Sequence, residues 1–373
     1  MTSVRERFLS LDVFRGLTVF LMILVNTPGP GAEPPAWMVH APWFGFTLAD
    51  LVFPSFLFAV GNALSFSMRP GSSEKEFLLG VLRRSAIIFA LGVLLYWYPF
   101  FKQQADGSWA AIPFAQTRLT GVLQRIAVCY ALAAVAARYL SVRQLIALCI
   151  ALLLGYWWAL EAFGVPGAEL TKTGNVGTRL DLWLIGPEHL YRKAQGFDPE
   201  GLLSTLPATV NVIIGYLVGL YVRERGKTSA AVVRLAAAGG VLLLLALLWN
   251  PVLPIMKKLW TGSFVLYTLG WDLLLIAALL YTIEIRHWTS GSGFFAILGR
   301  NPLILYLFSE VFVITLRQFE VAPDMDVYAW VGIEWFQWLL PGATGVWVCA
   351  LAYTMVCWAL AYWMDRRGLY VRI

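Results

Sequence analysis

Charge is what this sequence has least of. Of its 373 residues only 13% are Asp, Glu, Lys or Arg, against roughly 25% in an ordinary soluble domain. With 59% hydrophobic residues and a mean hydropathy of +0.70, too little polar surface remains to cover a water-soluble globule of this length. Histidine is scarcer still, at His40, His189 and His287. The four cysteines, Cys129, Cys149, Cys349 and Cys357, fall inside apolar stretches and form no CxxC pair. They read as small buried apolar residues, so neither a disulfide framework nor a metal cluster is expected. Also missing are a polar stretch long enough to fold alone and a basic run interleaved with aromatics. These absences exclude a soluble enzyme, a disulfide scaffold and a nucleic-acid-binding module.

What is there is a succession of apolar runs, and crossing a hydrocarbon core takes about 20 such residues. Ten candidates begin near Leu9, Phe44, Phe77, Leu119, Gln144, Leu203, Ala230, Phe264, Phe295 and Ala343. The expected fold class is all-α: a polytopic integral membrane bundle of about ten transmembrane helices, forming one domain over residues 1–373. The 17 Trp suit interfacial belts, with sugar-stacking platforms as a second use. The first run follows Arg5 and Arg7, contains Asp12 and Arg15, and has no small-residue cleavage site. It reads as a helix of the mature protein rather than a signal peptide. By eye, the features of the first five runs do not recur in the last five, which speaks against a repeat transporter.

Every alternate connection is basic. Arg5 and Arg7 precede the first run. Arg69 and Lys75, with Arg83 and Arg84 just beyond, follow the second. Arg138 and Arg143, then Arg223, Arg225 and Lys227, then Arg286, and finally Arg366, Arg367 and Arg372 complete the series. This pattern places both termini in the cytoplasm. The opposite connections are more mixed, and the longest, residues 164–201, carries His189, Asp198 and Glu200.

A charge at the bilayer centre costs at least ~2.5–3.5 kcal/mol, so charges there face a bundle interior or a watery cavity. On this topology His40, Asp50, Gln124, Arg125, Asp272 and Glu310 all belong to the outer half. Two readings stand side by side: ion pairs that lock helices together, such as Arg125 with Asp272 or Glu310, or a polar substrate pocket. His40 is the sharpest candidate, because imidazole takes and returns a proton near neutral pH. It follows Asn26-Thr27-Pro28-Gly29-Pro30-Gly31, a backbone that cannot stay helical. Pro54, four residues after Asp50, has no N–H for the Asp50 carbonyl. Freed backbone at that depth must be satisfied by protein or water, so a polar pocket is expected beneath His40. In the inner half, Arg15, Arg83, Arg84 and Arg300, the last just ahead of Asn301 and Pro302, suit either phosphate groups or plain positive-inside anchoring.

Several stretches together resemble a known family. They are Leu11-Asp12-Val13-Phe14-Arg15-Gly16, Val25-Asn26, His40 followed by Thr47-Leu48-Ala49-Asp50-Leu51-Val52-Phe53-Pro54, Gly121-Val122-Leu123-Gln124-Arg125, and Asp198-Pro199-Glu200-Gly201-Leu202, with a weaker echo over 301–312. The combination is similar to the heparan-α-glucosaminide N-acetyltransferase family, its bacterial NagX-type members above all. The resemblance implies a multi-pass enzyme of the bacterial inner membrane. It implies cytosolic acetyl-CoA as cosubstrate and an acceptor at the outer side, glucosamine or a related amino sugar, with homodimer formation open. It also implies that His40 is the general base or a transient acetyl carrier and that Asn26 contacts the acetyl group. Asp50 then orients the imidazole, and Arg15, Arg300 and Asn301 are the candidates for the coenzyme. Gln124, Arg125, Asp272 and Glu310 form a substrate-binding or structural polar cluster. Two rivals stay open: an amino-sugar permease without chemistry, and an O-acetyltransferase of envelope glycans.

Overall fold

The computed structural model describes residues 8–68, 71, 73–104, 107–191 and 196–371. Arg5, Arg7, Arg69 and Arg372 of the basic pattern lie outside the described residues. The apolar runs form helices because a helix satisfies its own backbone without water. In chain order these are α1 (Leu9–Asn26), α2 (Leu48–Ser67), α3 (Glu74–Trp97), α4 (Val122–Tyr139), α5 (Val142–Phe163), the short α6 (Val176–Leu184), α7 (Thr205–Arg225), α8 (Ser229–Trp249), α9 (Gly262–Leu279), α10 (Ser292–Leu298), α11 (Pro302–Leu316), α12 (Val327–Trp330) and α13 (Ala343–Arg366). Two small antiparallel hairpins, β1 (Phe101–Gln103) with β2 (Trp109–Ala111) and β3 (Glu320–Ala322) with β4 (Met325–Asp326), sit in connections.

Polar residues set where several helices begin. Ser73 and Glu76 cap α3 reciprocally, at 3.3 and 3.1 Å, and Ser141 with Gln144 does the same for α5. The second helix starts at Leu48 rather than near Phe44, because Asp50 Oδ2 accepts the Thr47 N–H at 3.0 Å and fixes the first turn there.

Among the described residues, nine helices are long and apolar enough to cross a membrane, α9 being counted with a π-helical extension to Ile285. The run expected from Phe295 is broken: α10 and α11 meet at 76°. Taken as one bent span, they make the tenth. Pro302 opens α11 without an N–H to give, and proline drives the preceding Asn301 out of helical geometry, to φ −130° and ψ 50°.

The bundle has a centre and a rim. The spanning stretch of α2 is 78% buried and that of α7 72%, whereas those of α3 and α8 are 22% buried and expose apolar side chains as lipid-facing helices do. α2 and α7 touch through backbone. A Cβ placed on Gly61 would lie 2.0 Å from the Val212 carbonyl oxygen, and one on Gly215 would lie 2.1 Å from that of Phe58. Small residues at a helix crossing are how membrane bundles gain contact where lipid gives no hydrophobic drive. The four cysteines are all buried.

Gly61→Ala is therefore expected to lower the thermal midpoint of the detergent-purified protein, with an overpacking cost of about 1–3 kcal/mol. Gly80→Ala, on an exposed face of α3 with nothing within 4 Å, is expected to leave the midpoint unchanged or slightly raised. Equal behaviour of the two variants would show that the α2–α7 contact is not tight.

Candidate active site

Asp50 is fully buried in the first turn of α2. Its Oδ1 accepts the His40 Nδ1–H at 3.0 Å. Its Oδ2 accepts the backbone N–H of Ala41 at 3.1 Å, that of Thr47 at 3.0 Å, and the Thr47 hydroxyl at 3.2 Å. A carboxylate gathering this many donors is held in place. His40 is thereby fixed in orientation while its side chain stays 44% exposed. With Nδ1 donating to Asp50, Nε2 carries the lone pair, as a base or nucleophile requires.

A third charged group completes the cluster. Lys257, in the connection between α8 and α9, places Nζ 3.7 Å from Asp50 Oδ1, 3.0 Å from His40 Nδ1 and 3.1 Å from Nε2. Its side chain is only 15% exposed. Burial pushes the Lys257 ammonium down to about 8, against the pull of Asp50 and Glu200.

Beside this cluster the connection ahead of α7 is tied to the segment ahead of α4. Arg118 grips Asp198 through Nε at 2.9 Å and Nη2 at 2.5 Å, and reaches Glu200 at 2.5 Å. The Tyr96 and Tyr191 rings lie 4.9 and 4.8 Å from its guanidinium. Burial disfavours the Arg118 charge, but Glu200 and Asp198 outweigh it and hold the charge more firmly than usual. Asp198 also accepts from Thr120 and from the Tyr191 N–H at 2.8 Å. Asp181, on α6, is buried and accepts the Leu202 N–H at 2.9 Å. Burial, with Asp198 nearby, pushes its carboxyl up to about 6.

The ion pairs weighed for Arg125 do not form. The α4 residues Gln124 and Arg125 are buried. Arg125 donates to the Gly201 carbonyl at 3.1 Å and to the Ser204 hydroxyl, and lies over the Trp260 ring at 4.8 Å. Backbone oxygens, a hydroxyl and a π face let the cation be buried without a carboxylate. Asp272, fully buried on α9, accepts from Ser55 at 2.5 Å instead. Glu310 accepts from Asn26 Nδ2 at 3.2 Å. The amide of Gln124 is buried without a hydrogen-bond partner, directly over the bare backbone of Gly92. So Gln124, Arg125, Asp272 and Glu310, expected as one polar cluster, do not meet one another, whereas His40 and Asp50 meet directly. Asn26 stands at the exposed end of α1, and no hydrogen bond joins it to His40.

At the opposite end of α2 lies a cavity of about 460 Å³. Arg15, Arg84 and Arg300 line it, with Phe56, Ala59 and Ile126 among its apolar walls. Arg15 Nη1 donates to the Gly299 carbonyl at 3.1 Å, and Arg84 lies 5.0 Å over the Tyr130 ring. Arg300 is ion-paired with Asp365. Asn301 spends its amide on the C-terminal tail, donating to the Leu369 carbonyl at 2.9 Å and accepting the Val371 N–H at 3.0 Å. It shapes the cavity by holding Val371 in the wall. Three guanidinium groups over an apolar shaft suit an anionic head with an uncharged tail.

Arg84 stands in the sequence among the inner arginines weighed for phosphates or for anchoring, and it lines the cavity. Lys257 was missed altogether, though Lys257-Lys258 is a basic doublet in a connection where the charge alternation calls for none. That violation was the available signal.

A family model described as heparan-alpha-glucosaminide N-acetyltransferase, catalytic, matches residues 7–255. Among curated proteins, the heparan-alpha-glucosaminide N-acetyltransferase of Mus musculus is 28% identical over 366 residues, covering 83% of this chain and 54% of the relative. That of Homo sapiens is 26% identical over 368 residues, covering 84% and 54%. The chain thus spans about half the length of the curated relatives it matches.

The Asp181 carboxyl gives a stability prediction. Its folded-state value of about 6 lies above the ordinary 3.8. The folded protein therefore holds the proton more tightly, and this stabilisation is complete below pH 3.8 and lost as pH rises through 6. Asp181→Asn keeps an acceptor for Leu202 and removes the charge. It is expected to raise the thermal midpoint by a few degrees at pH 7.5 and to leave it unchanged near pH 4. A lower midpoint at pH 7.5 would show that the charge itself is needed there.

Proposed function

Because the chain belongs to the heparan-alpha-glucosaminide N-acetyltransferase catalytic family, we propose that it is a membrane-embedded acetyltransferase that moves the acetyl group of acetyl-CoA to the amino group of glucosamine or a related amino sugar. The observation that carries this reading is the arrangement along α2. The arginine-lined cavity runs up α2 from Ser67 to Phe56, and Asp50 with His40 begins six residues further on. Six residues are about 9 Å of helix. The coenzyme phosphates sit on Arg15, Arg84 and Arg300, and the pantetheine arm follows the apolar wall of α2 toward His40. Enclosing the arm keeps the thioester from water.

The chemistry is proton transfer around an acyl carbon. As the sugar amine attacks the thioester carbonyl, His40 Nε2 takes its proton, and Asp50 supports the imidazolium through Nδ1–H. The carbon–sulfur bond breaks, and the leaving thiolate takes the proton from the imidazolium. A route through acetyl-His40 uses the same nitrogen as nucleophile. Asn26 is the donor for the developing oxyanion. Glu310 engages one of its two amide hydrogens, which leaves the other for the oxyanion and fixes the amide plane. Such a donor is worth about 2.7–4 kcal/mol in enzymes.

In this reading both termini and the arginine end are cytoplasmic and His40 faces the outer side of a bacterial inner membrane. The basic connections after α2, α4 and α7 support that orientation. Thr173, in the connection between α5 and α6, and Arg143, in the first turn of α5 beside the α4–α5 connection, are both exposed, at opposite ends of α5. Thr173→Cys is expected to react with a membrane-impermeant thiol reagent in intact cells, and Arg143→Cys only after permeabilisation. The reverse result inverts the topology.

Radiolabelled acetyl-CoA and a panel of amino sugars test the activity on purified protein. His40→Ala is expected to cut transfer by roughly 10²–10⁴-fold while acetyl-CoA still binds in calorimetry. Arg15→Ala and Arg84→Ala are expected to weaken acetyl-CoA binding by roughly 10–100-fold, the loss of one charge-assisted hydrogen bond. Full transfer by His40→Ala would defeat the mechanism. Sugar flux without label transfer would make the chain a permease.

A further inference from the structure

Apart from Asp50, little in its own segment holds His40, at the point where this reading needs a rigid residue. Its side chain is 44% exposed and it lies in an irregular segment between α1 and α2. Asp50 fixes one ring nitrogen only. Lys257 approaches from another part of the chain, and its own backbone is firmly anchored. Asn250 Oδ1 accepts the Ile255 N–H at 2.9 Å, and the Thr261 hydroxyl accepts the Met256 N–H at 3.2 Å. Tyr156 donates to the Leu259 carbonyl at 2.5 Å, and Leu253, Met256, Leu259 and Trp260 are all buried. The same connection braces the His40 segment directly, because the Gly45 N–H donates to the Ile255 carbonyl at 3.0 Å and Lys258 Nζ to the Pro42 carbonyl at 2.5 Å.

We propose that Lys257 is a positioning residue for His40: its ammonium holds the imidazole against Asp50 and opposes a second positive charge on the ring, so that His40 meets its substrate uncharged. Without Lys257, the buried carboxylate of Asp50 is the nearest charge to the ring, and a carboxylate at hydrogen-bond distance favours the imidazolium. An imidazolium has no lone pair with which to take a proton or attack a carbonyl. A cation 3.0–3.1 Å from both ring nitrogens works against that. The charged groups at the ring are Asp50 from α2 and Lys257 from the connection ahead of α9, and Lys257 is in turn influenced by Asp50, Glu200 and Lys258. Lys257 sets His40 for catalysis and is itself outside the bond-making.

The inference rests on reading His40 as the base, but its test does not depend on transfer. Protein carrying ¹³C-labelled histidine is titrated by NMR in detergent. His40 is assigned by its loss in His40→Gln, and His189 and His287 serve as internal controls. In Lys257→Met the His40 midpoint is expected to rise by about one pH unit, a tenfold change in proton affinity. Lys257→Arg keeps the charge and is expected to keep the midpoint. Asp50→Asn, which removes the opposing charge, is expected to lower it. In transfer assays the acid side of the pH–rate profile of Lys257→Met moves to higher pH, with acetyl-CoA affinity unchanged. A residue that merely supports the loop would lower the rate at every pH and move neither midpoint nor profile. An unmoved His40 midpoint in Lys257→Met, with His189 and His287 titrating as in the parent, overturns the proposal. A moved midpoint in a protein that transfers no acetyl group would leave Lys257 in this role and remove the acetyltransferase reading.

Discussion

The buried carboxylate of Asp50 ties together parts of the chain that nothing else brings to one point. It accepts the N–H of Thr47 and so decides where α2 begins. It accepts the N–H of Ala41 and so closes the loop from α1 onto that helix. It receives His40 at 3.0 Å and Lys257 at 3.7 Å, from two distant parts of the chain. An ionised carboxylate out of water costs several kcal/mol unless its lone pairs are met and a cation is near. The same donors that make it tolerable are the groups the site needs, so the electrostatics of burial and the geometry of the site are one requirement.

The second constraint is that α2 is both the most buried spanning helix and the line joining two chemically different ends. Its contact with α7 is made by backbone, over Gly61 and Gly215. Such a contact holds the helix with little play, so spacings along it are reliable. Near Asp50 the helix faces His40, Lys257 and, through Phe53, the Trp260 ring at 5.3 Å. Near Ser67 it faces Arg15, Arg84 and Arg300 around the cavity. An acyl donor with a phosphate head and an apolar arm matches that polarity. A small hydrophilic acceptor matches the exposed His40 end.

The helices were legible because bilayer physics leaves few alternatives. α1 and α13 begin at the residues read from hydropathy, and most other starts differ by only a few positions. The break at Gly299-Arg300-Asn301-Pro302 was in plain view, since Pro302 has no N–H, but hydropathy alone ran through it. The pairing of His40 with Asp50 was legible because both are rare polar residues ten positions apart across a proline-rich turn. The partners of Arg125 were not. A buried cation can be met by carbonyls, a hydroxyl and an indole face, and those groups leave no charge in the sequence to find. Lys257 was hidden for a related reason, because it lies more than two hundred positions from His40 and only the packing of the segment ahead of α9 brings it back.

The central claim is that one acyl donor bridges the two ends of α2, head on the arginines and thioester at His40. The most direct measurement is a cryo-EM structure of the protein with a non-hydrolysable acetyl-CoA analogue. The account predicts density for the phosphates against Arg15, Arg84 and Arg300, and the acetyl carbonyl carbon within about 3–3.5 Å of a position reachable by the amine beside His40 Nε2, a near-attack distance. Phosphates bound at the His40 end, or an acetyl group left at the arginine end with its arm outside the bundle, would contradict it.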